Sequence, residues 1–502
     1  MGMRLILKGM PLAMLFWGGI QLSAQDAENT QQEVARRLQA RMDELRTQMT
    51  QIQAELDAMH GQNNLSNAVE NVKPVPMTVQ TGSIERTLPP LPPAVQLTPE
   101  QQRMAVGKET AAYESFAEES EVVPRLYNAP LEASMPGFFV LPGTQTMLRI
   151  NGMIKTDVIF DPRPAGETDA FIPSTIPIPQ GSSTNNFSAN VRDSRLSADF
   201  RIPVSNIGTA RTFIQFDFFG GNGANTPRLR HFYAQLHNIL VGQTNTLFMD
   251  PDAWPDILDF QGPTSGLLAR IPQVRFSFPL GKGFSGAVSV EQPSSDISFS
   301  IDGSPAVPIT PAPNGGLRVR YESDRGHLYF SSILRELAVH MPVTGQQQSV
   351  FGWGLNLSST WRVVGRDTIN WQVAYGNGIA TYTGDGFGLG LDAQPKSDVD
   401  LTLKALPTFA PWVSYQHNWN RSVRSNATFG LLQVQNTAFQ PGTTYHKSTY
   451  SSANVIWNAY GSLTFGAEFM YGWVEQKNQE KANAPRLQFS GRYTFVKLHP
   501  NE

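Results

Sequence analysis

From about Gly143 to the end of the chain, apolar and polar residues alternate with a period of two in segment after segment. That period belongs to strands with one apolar and one polar face. In Leu148 to Phe160, the even positions Leu148, Ile150, Ile154, Val158 and Phe160 are apolar, while the odd ones include Arg149, Asn151, Lys155 and Asp157. The pattern returns in 196–202, 210–218, 317–321, 463–469 and 487–495. Roughly sixteen such segments are predicted, centred near 154, 195, 214, 232, 244, 274, 288, 319, 331, 355, 371, 414, 428, 453, 467 and 490.

The connections sort into two kinds. Short, turn-like links fall at 203–209, 237–239, 279–283, 323–326, 363–367, 420–422 and 459–461. Between them lie longer links rich in Gly, Pro and Asn, at 162–186, 220–227, 249–266, 293–315, 338–349, 377–406, 436–445 and 474–484. A soluble β-sandwich shares the period but has no reason to sort its loops by turns. A membrane barrel does, with short turns at one rim and long loops at the other. The predicted fold is therefore all-β, a 16-stranded antiparallel transmembrane β-barrel over 143–497, preceded by an N-terminal α-helical coiled coil.

The segment ahead of the barrel divides further. Arg4 and Lys8 precede a mostly apolar Met10 to Leu22, and Ser23-Ala24 offers a cleavage point, so 1–24 reads as a signal peptide. No later stretch approaches the roughly 20 apolar residues that a spanning helix needs, so any crossing must use strands. Residues 25–60 hold neither Pro nor Gly and place Leu38, Met42, Leu45, Met49, Ile52 and Leu56 at alternating steps of three and four. That is the seam of a coiled coil, expected in the periplasm, although Met in the core leaves the number of chains open. Residues 61–142 form a Pro-rich linker with a short predicted helix at 98–118.

With strands on this parity, one face collects Phe216, Phe218, Trp353, Trp371, Tyr375, Trp457, Tyr471, Trp473, Tyr493 and Phe495, as an aromatic belt would. The other carries Arg149, Lys155, Arg195, Arg201, Arg211, Arg275, Arg318, Arg320, Arg424 and Arg492, against fewer acids. A water-filled lumen with surplus guanidinium attracts anions, because each group stays charged and grips oxygen atoms in pairs. The link at 249–266 holds Asp250, Asp252, Asp256 and Asp259 between Trp254, Ile257 and Leu258. Folded inward, it would bury the apolar residues and set the aspartates opposite the arginines as a constriction; lying over the mouth is the alternative.

Other chemistry has little support. The net charge of −3 gives no general attraction for nucleic acid, and the chain of 502 residues has no Cys for disulfides or thiolate metal sites. The eight His are scattered. No phosphate loop or serine-hydrolase elbow occurs, so neither enzyme activity nor a cofactor or metal is expected. Gly384 to Gly390 has a faint likeness to one calcium repeat.

The order of parts resembles the DcaP-like family of outer-membrane porins. The resemblance is carried by the heptads, Leu97 to Glu109, Pro142 to Gly152, Asp193-Ser-Arg-Leu196, Arg228 to Tyr233 and Val241 to Asn245. It implies a homotrimer of sixteen-stranded barrels in the bacterial outer membrane, with helices projecting into the periplasm, passing small anionic solutes such as dicarboxylates. The expected surroundings are the lipid bilayer and lipopolysaccharide, with peptidoglycan a candidate partner of the coil and no nucleic acid. The rival reading is a structural protein whose coil tethers the membrane to the cell wall.

Overall fold

The computed structural model describes residues 137–181, 185–204, 208–221, 225–341 and 345–495. The chain divides into two compact units, Met1–Pro92 and Pro93–Glu502, and every described residue belongs to the second. The leader at 1–24, the coil at 25–60, the helix at 98–118 and the tail after Phe495 lie outside the described residues.

Sixteen wall strands follow in chain order. They are β1 (Met147–Asp161), β2 (Asn186–Asn190, continued as Arg195–Val204), β3 (Gly208–Gly220), β4 (Thr226–Leu236), β5 (Ile239–Asn245) and β6 (Arg270–Gly281). Next come β7 (Phe284–Glu291), β8 (Asn314–Ser323), β9 (Gly326–Met341), β10 (Gln346–Arg362) and β11 (Thr368–Asn377). The wall ends with β12 (Pro407–Asn418), β13 (Val423–Val434), β14 (Tyr445–Tyr460), β15 (Leu463–Gln476) and β16 (Lys481–Thr494). Each pairs antiparallel with its sequence neighbour, and β16 closes on β1 with Tyr493 opposite Ile154 and Phe489 opposite Val158. All sixteen sequence-derived centres fall inside their strands.

Local chemistry explains the short rim. The β6–β7 turn is Lys282-Gly283, with φ of 53° and 81°, the positive values that match a two-residue turn to the twist of its strands. His237 uses the same region between β4 and β5, at φ 51°.

The other rim corrects three of the expected long links. At 220–227, 338–349 and 474–484 the strands continue, leaving only 221–225, 342–345 and 477–480 between them. Polar stretches such as Gln346-Gln-Gln-Ser349 read as loop by composition, but they complete the β9–β10 ladder, with Gln346 opposite Met341 and Ser349 opposite Ala338. Polarity does not oppose a strand where water takes the place of lipid. The remaining loop mass comes from 162–185, 246–269, 292–313, 378–406 and 435–444.

Residue parity behaves as a barrel requires: Ile150, Ile154, Leu196, Val274 and Phe489 are exposed outward, while Arg149, Lys155, Ser197 and Gln488 are buried inward. The outward Trp and Tyr are unevenly spread. Among the described residues, β8 to β16 carry Tyr321, Trp353, Trp361, Trp371, Tyr375, Tyr415, Trp457, Tyr471, Trp473 and Tyr493, while the outer faces of β1 to β7 carry none.

An apolar core lies inside the barrel. Phe248, Met249, Trp254 and Leu267 of the 246–269 loop pack with Ile333, Ala374, Ala410, Leu432, Tyr450 and Met470 of the β9–β15 wall. Inward glycines make room for it. A Cβ on Gly466 would stand 2.7 Å from Leu258 Cδ2, and one on Gly354 would stand 2.7 Å from the Phe248 ring.

Filling such a seat should unpack the loop. We expect Gly466→Val to cost about 1–3 kcal/mol, the usual penalty of overpacking. A fall in the unfolding temperature of detergent-solubilised protein would report it, and wild-type behaviour would mean that Leu258 has another place to go.

Candidate functional site

The interior is shaped by the 246–269 loop, which leaves the wall after β5 and follows its inner surface. At β7, Glu291 accepts Thr246 Oγ1 (2.6 Å) and Leu247 N (2.9 Å). At β9 and β10, Asp250 Oδ2 lies 2.8 Å from His327 Nε2 and accepts Ser358 Oγ at 2.8 Å. Arg320 of β8 donates to Asp252 Oδ2 at 2.6 Å. Arg424 Nε of β13 donates to Asp256 Oδ2 at 2.5 Å. Further round, Glu468 of β15 accepts Leu258 N and Asp259 N at 2.5 and 3.1 Å. Lys155 of β1 and Gln488 of β16 both donate to Leu258 O, at 2.7 and 3.0 Å. The tip is held from β3, where Phe219 stacks on Phe260 with ring centroids 3.6 Å apart.

The loop therefore enters the lumen, and its carboxylates turn to the wall. The sequence reading set four aspartates across the lumen from the arginine row. In the structure, Asp250 and Asp252 pair with Arg320 and Asp256 with Arg424, while Asp259 accepts the backbone N–H groups of Phe171 and Gly262, each at 2.9 Å. The apolar neighbours explain this: Ile257 and Leu258 are fully buried against the wall, which draws the acids between them into the same contact.

All ten basic residues singled out from the sequence are buried on the inner face, and they divide into two sets. Lys155, Arg320 and Arg424 anchor the loop through the bonds above. Arg149, Arg195, Arg201, Arg211, Arg275 and Arg318 stand on β1, β2, β3, β6 and β8, in the sector that the loop's apolar core leaves bare. Arg492 of β16 is also inward and sits opposite Lys155 in the β1–β16 ladder.

The bare sector is rich in cations held by few acids. Asp199 of β2 has three guanidiniums around it, with N···O distances of 3.0 Å to Arg211, 3.2 Å to Arg201 and 3.7 Å to Arg149. Asp193 is shared by Lys155 and Arg195, both at 2.9 Å. Asp217 is shared by Arg228 and Arg230, at 2.5 and 3.0 Å. Among the described residues, Arg275 and Arg318 make no ion pair. Arg275 donates to Gln273 Oε1 and to Asn245 O, and the Arg318 guanidinium lies 5.8 Å from the Tyr329 ring centroid.

Sequence reasoning missed several of these groups. Arg230 has the parity of a lipid-facing residue, but a bulge opposite Gln215 and Phe216 turns both Arg230 and His231 inward. Glu291 and Glu468 counted only as wall acids, and nothing local marks them as acceptors for the loop backbone. Gly388 and Gly390, in the segment resembling a calcium repeat, donate N–H to the Asp296 carboxylate at 2.8 and 3.1 Å. No group of three or more His, Asp or Glu able to hold a metal occurs among the described residues.

Two loop carboxylates are perturbed by burial. Asp259 is pushed up to about 6 despite its two backbone donors. Asp385, in the 378–406 loop, is pushed up to about 7 although its carboxylate accepts Ser448 Oγ at 2.6 Å and Ser174 N at 3.0 Å. The two carboxylates also repel each other.

The family model for the DcaP outer membrane protein matches residues 140–495. Among solved structures, the outer membrane channel DcaP of Acinetobacter baumannii aligns with a TM-score of 0.63 at 19% identity, over 71% of this chain and 99% of that one. OmpF of Salmonella typhi in complex with daunomycin aligns at 0.44 and 10% identity, over 70% and 98%. OprB of Pseudomonas putida aligns at 0.44 and 9%, over 69% and 94%. No curated protein sequence matches.

Two measurements probe the anchoring. Removing Arg424 alone strands a buried Asp256, so Arg424→Leu should cost about 3–5 kcal/mol. The double change Arg424→Leu with Asp256→Leu should recover much of that in a double-mutant cycle. For pH, a carboxyl whose folded pKa is raised stabilises fully below its unfolded value, near 4, and loses that contribution as pH rises through the folded value. Packing around Asp259 and Asp385 should therefore loosen between about pH 4 and the folded values of about 6 and about 7. Hydrogen exchange at residues 259–266, corrected for intrinsic rates, should show faster opening at pH 8 than at pH 5, and Asp385→Asn should reduce the difference.

Proposed function

The chain belongs to the DcaP outer membrane protein family, and from that premise we propose that it is a passive channel for small polar anions, dicarboxylates among them. The surplus of cations in the bare sector carries this reading. Around Asp199 three guanidiniums, those of Arg149, Arg201 and Arg211, converge on one carboxylate. Among the described residues no ion pair offsets Arg275 and Arg318, and Asp252 and Asp256 of the loop are bound to Arg320 and Arg424 instead. A fixed positive field in a narrow aqueous path concentrates anions and repels cations. Planar guanidiniums suit carboxylate oxygens, which can accept two parallel N–H groups at once.

The assembly is a homotrimer in this reading. Trp and Tyr favour the membrane–water interface, so an outer sector without them suits contact with protein better than contact with lipid. The outer faces of β1 to β7 form such a sector among the described residues. The heptads at 25–60 would join three copies on the periplasmic side, next to peptidoglycan, after removal of the leader at 1–24. Lipid and lipopolysaccharide would meet the belt on β8 to β16. Residues 61–142 would link the coil to the barrel.

Reversal potential in a planar bilayer across a salt gradient tests the channel. Purified mature protein should conduct in steps with a potential of the sign set by anions. Arg275→Ser with Arg318→Ser should move that potential toward zero while the protein still inserts. Cation selectivity in the wild type would overturn the reading, and absence of conductance would favour the tether.

A further inference from the structure

The three guanidiniums around Asp199 each lie against an aromatic ring, and the rings differ in origin. Arg211 lies 5.0 Å from the Phe213 centroid and 5.7 Å from that of Tyr233, both on wall strands. Arg149 and Arg201 share one ring, that of Phe138, at 5.0 and 5.2 Å. Phe138 precedes the barrel proper.

The closing seam explains how it reaches the lumen. β16 pairs with β1 only from Met153 onward, and Phe495 N adds a last bond to Gly152 O at 3.1 Å. Below that point the β16 side of β1 would present unpaired backbone groups. The two-residue strand Phe139–Val140 covers them, with Phe139 opposite Leu148 and Val140 opposite Met147. A turn closed by Leu141 N to Thr146 O at 2.9 Å, with Gly143 at φ 74°, returns the chain into β1. Phe139 and Val140 are both about half exposed. Phe138, one residue before Phe139 and so level with Arg149, has its ring against Arg149 and Arg201, which places it inward.

We propose that Phe138 sets the selectivity of the periplasmic mouth by capping Arg149 and Arg201. An aromatic ring against a guanidinium excludes water and ions from that side and places its negative π-face on the cation. The cap lowers the positive field that a permeating anion meets, narrows the path and holds both side chains toward Asp199. The proposal rests on the anion-channel reading above, which is tested first by the wild-type reversal potential.

The experiment compares Phe138→Ala, Phe138→Leu and Phe138→Trp in the mature full-length protein by single-channel conductance and reversal potential. Folding is checked by heat-dependent gel mobility. Phe138→Ala should raise conductance and move the reversal potential further in the anion direction. Phe138→Leu keeps an apolar side chain at the seam but has no π-face, so it should show the selectivity shift with little gain in conductance, and it serves if the Ala variant misfolds. Phe138→Trp should keep wild-type selectivity with equal or lower conductance. An anion-selective wild type whose Ala and Leu variants match it in reversal potential would overturn the proposal. So would higher conductance at unchanged selectivity, because the ring would then only fill space. A wild type without anion preference would overturn the channel reading and this proposal together.

Discussion

A strand in a bilayer has no water for its backbone, so each N–H and C=O at membrane depth needs a partner in the protein. The bonds between β1 and β16 meet that need for the whole wall, since without them two edges would face lipid. Closure fixes the rest of the geometry. With a period of two, each strand must present alternate residues to the interior. The interior can hold water, protein or both. Here the long β5–β6 loop fills one side, and its core with β9 to β15 is apolar because that side is dry. The other side remains polar.

This division accounts for the charge pattern. A buried carboxylate needs a cation or several donors, and Asp250, Asp252 and Asp256 find theirs on the wall they lie against, while Asp259 takes backbone N–H groups of two loops. Each such bond also removes one positive charge from the path. The other arginines stand outside the apolar core that the loop forms with β9 to β15, some of them on the same strands as its anchors, as Arg318 is beside Arg320 on β8. Anchors and selectivity residues look alike in composition. Only position separates Arg424, bound to Asp256, from Arg318, which makes no ion pair among the described residues.

That difference marks how far the sequence could be read. Strand number, order and parity were legible because lipid imposes them residue by residue, and a segment such as Leu148 to Phe160 carries its own evidence of both faces. The inward position of Arg149 and Arg211 follows from parity alone. Loop lengths at the outer rim were less legible, since polar residues at Gln346 to Ser349 suit both a loop and a strand that has left the membrane. The partners of the loop could not be read at all. Asp256 and Arg424 are far apart in sequence, and the bulge beside Arg230 shifts the parity on which every inward assignment depends.

Phe138 extends the same lesson to the seam. By composition it belongs to the linker, and no alternating pattern reaches it. It enters the lumen because β16 stops short of the end of β1 and a neighbouring segment must satisfy what is left exposed. The requirement that closes the barrel thus draws residues ahead of β1 into its wall and sets one of their side chains against two of the arginines that give the lumen its charge. Backbone pairing at the seam and side-chain charge in the lumen are then one problem, coupled through the short strand Phe139–Val140 and the Phe138 that precedes it.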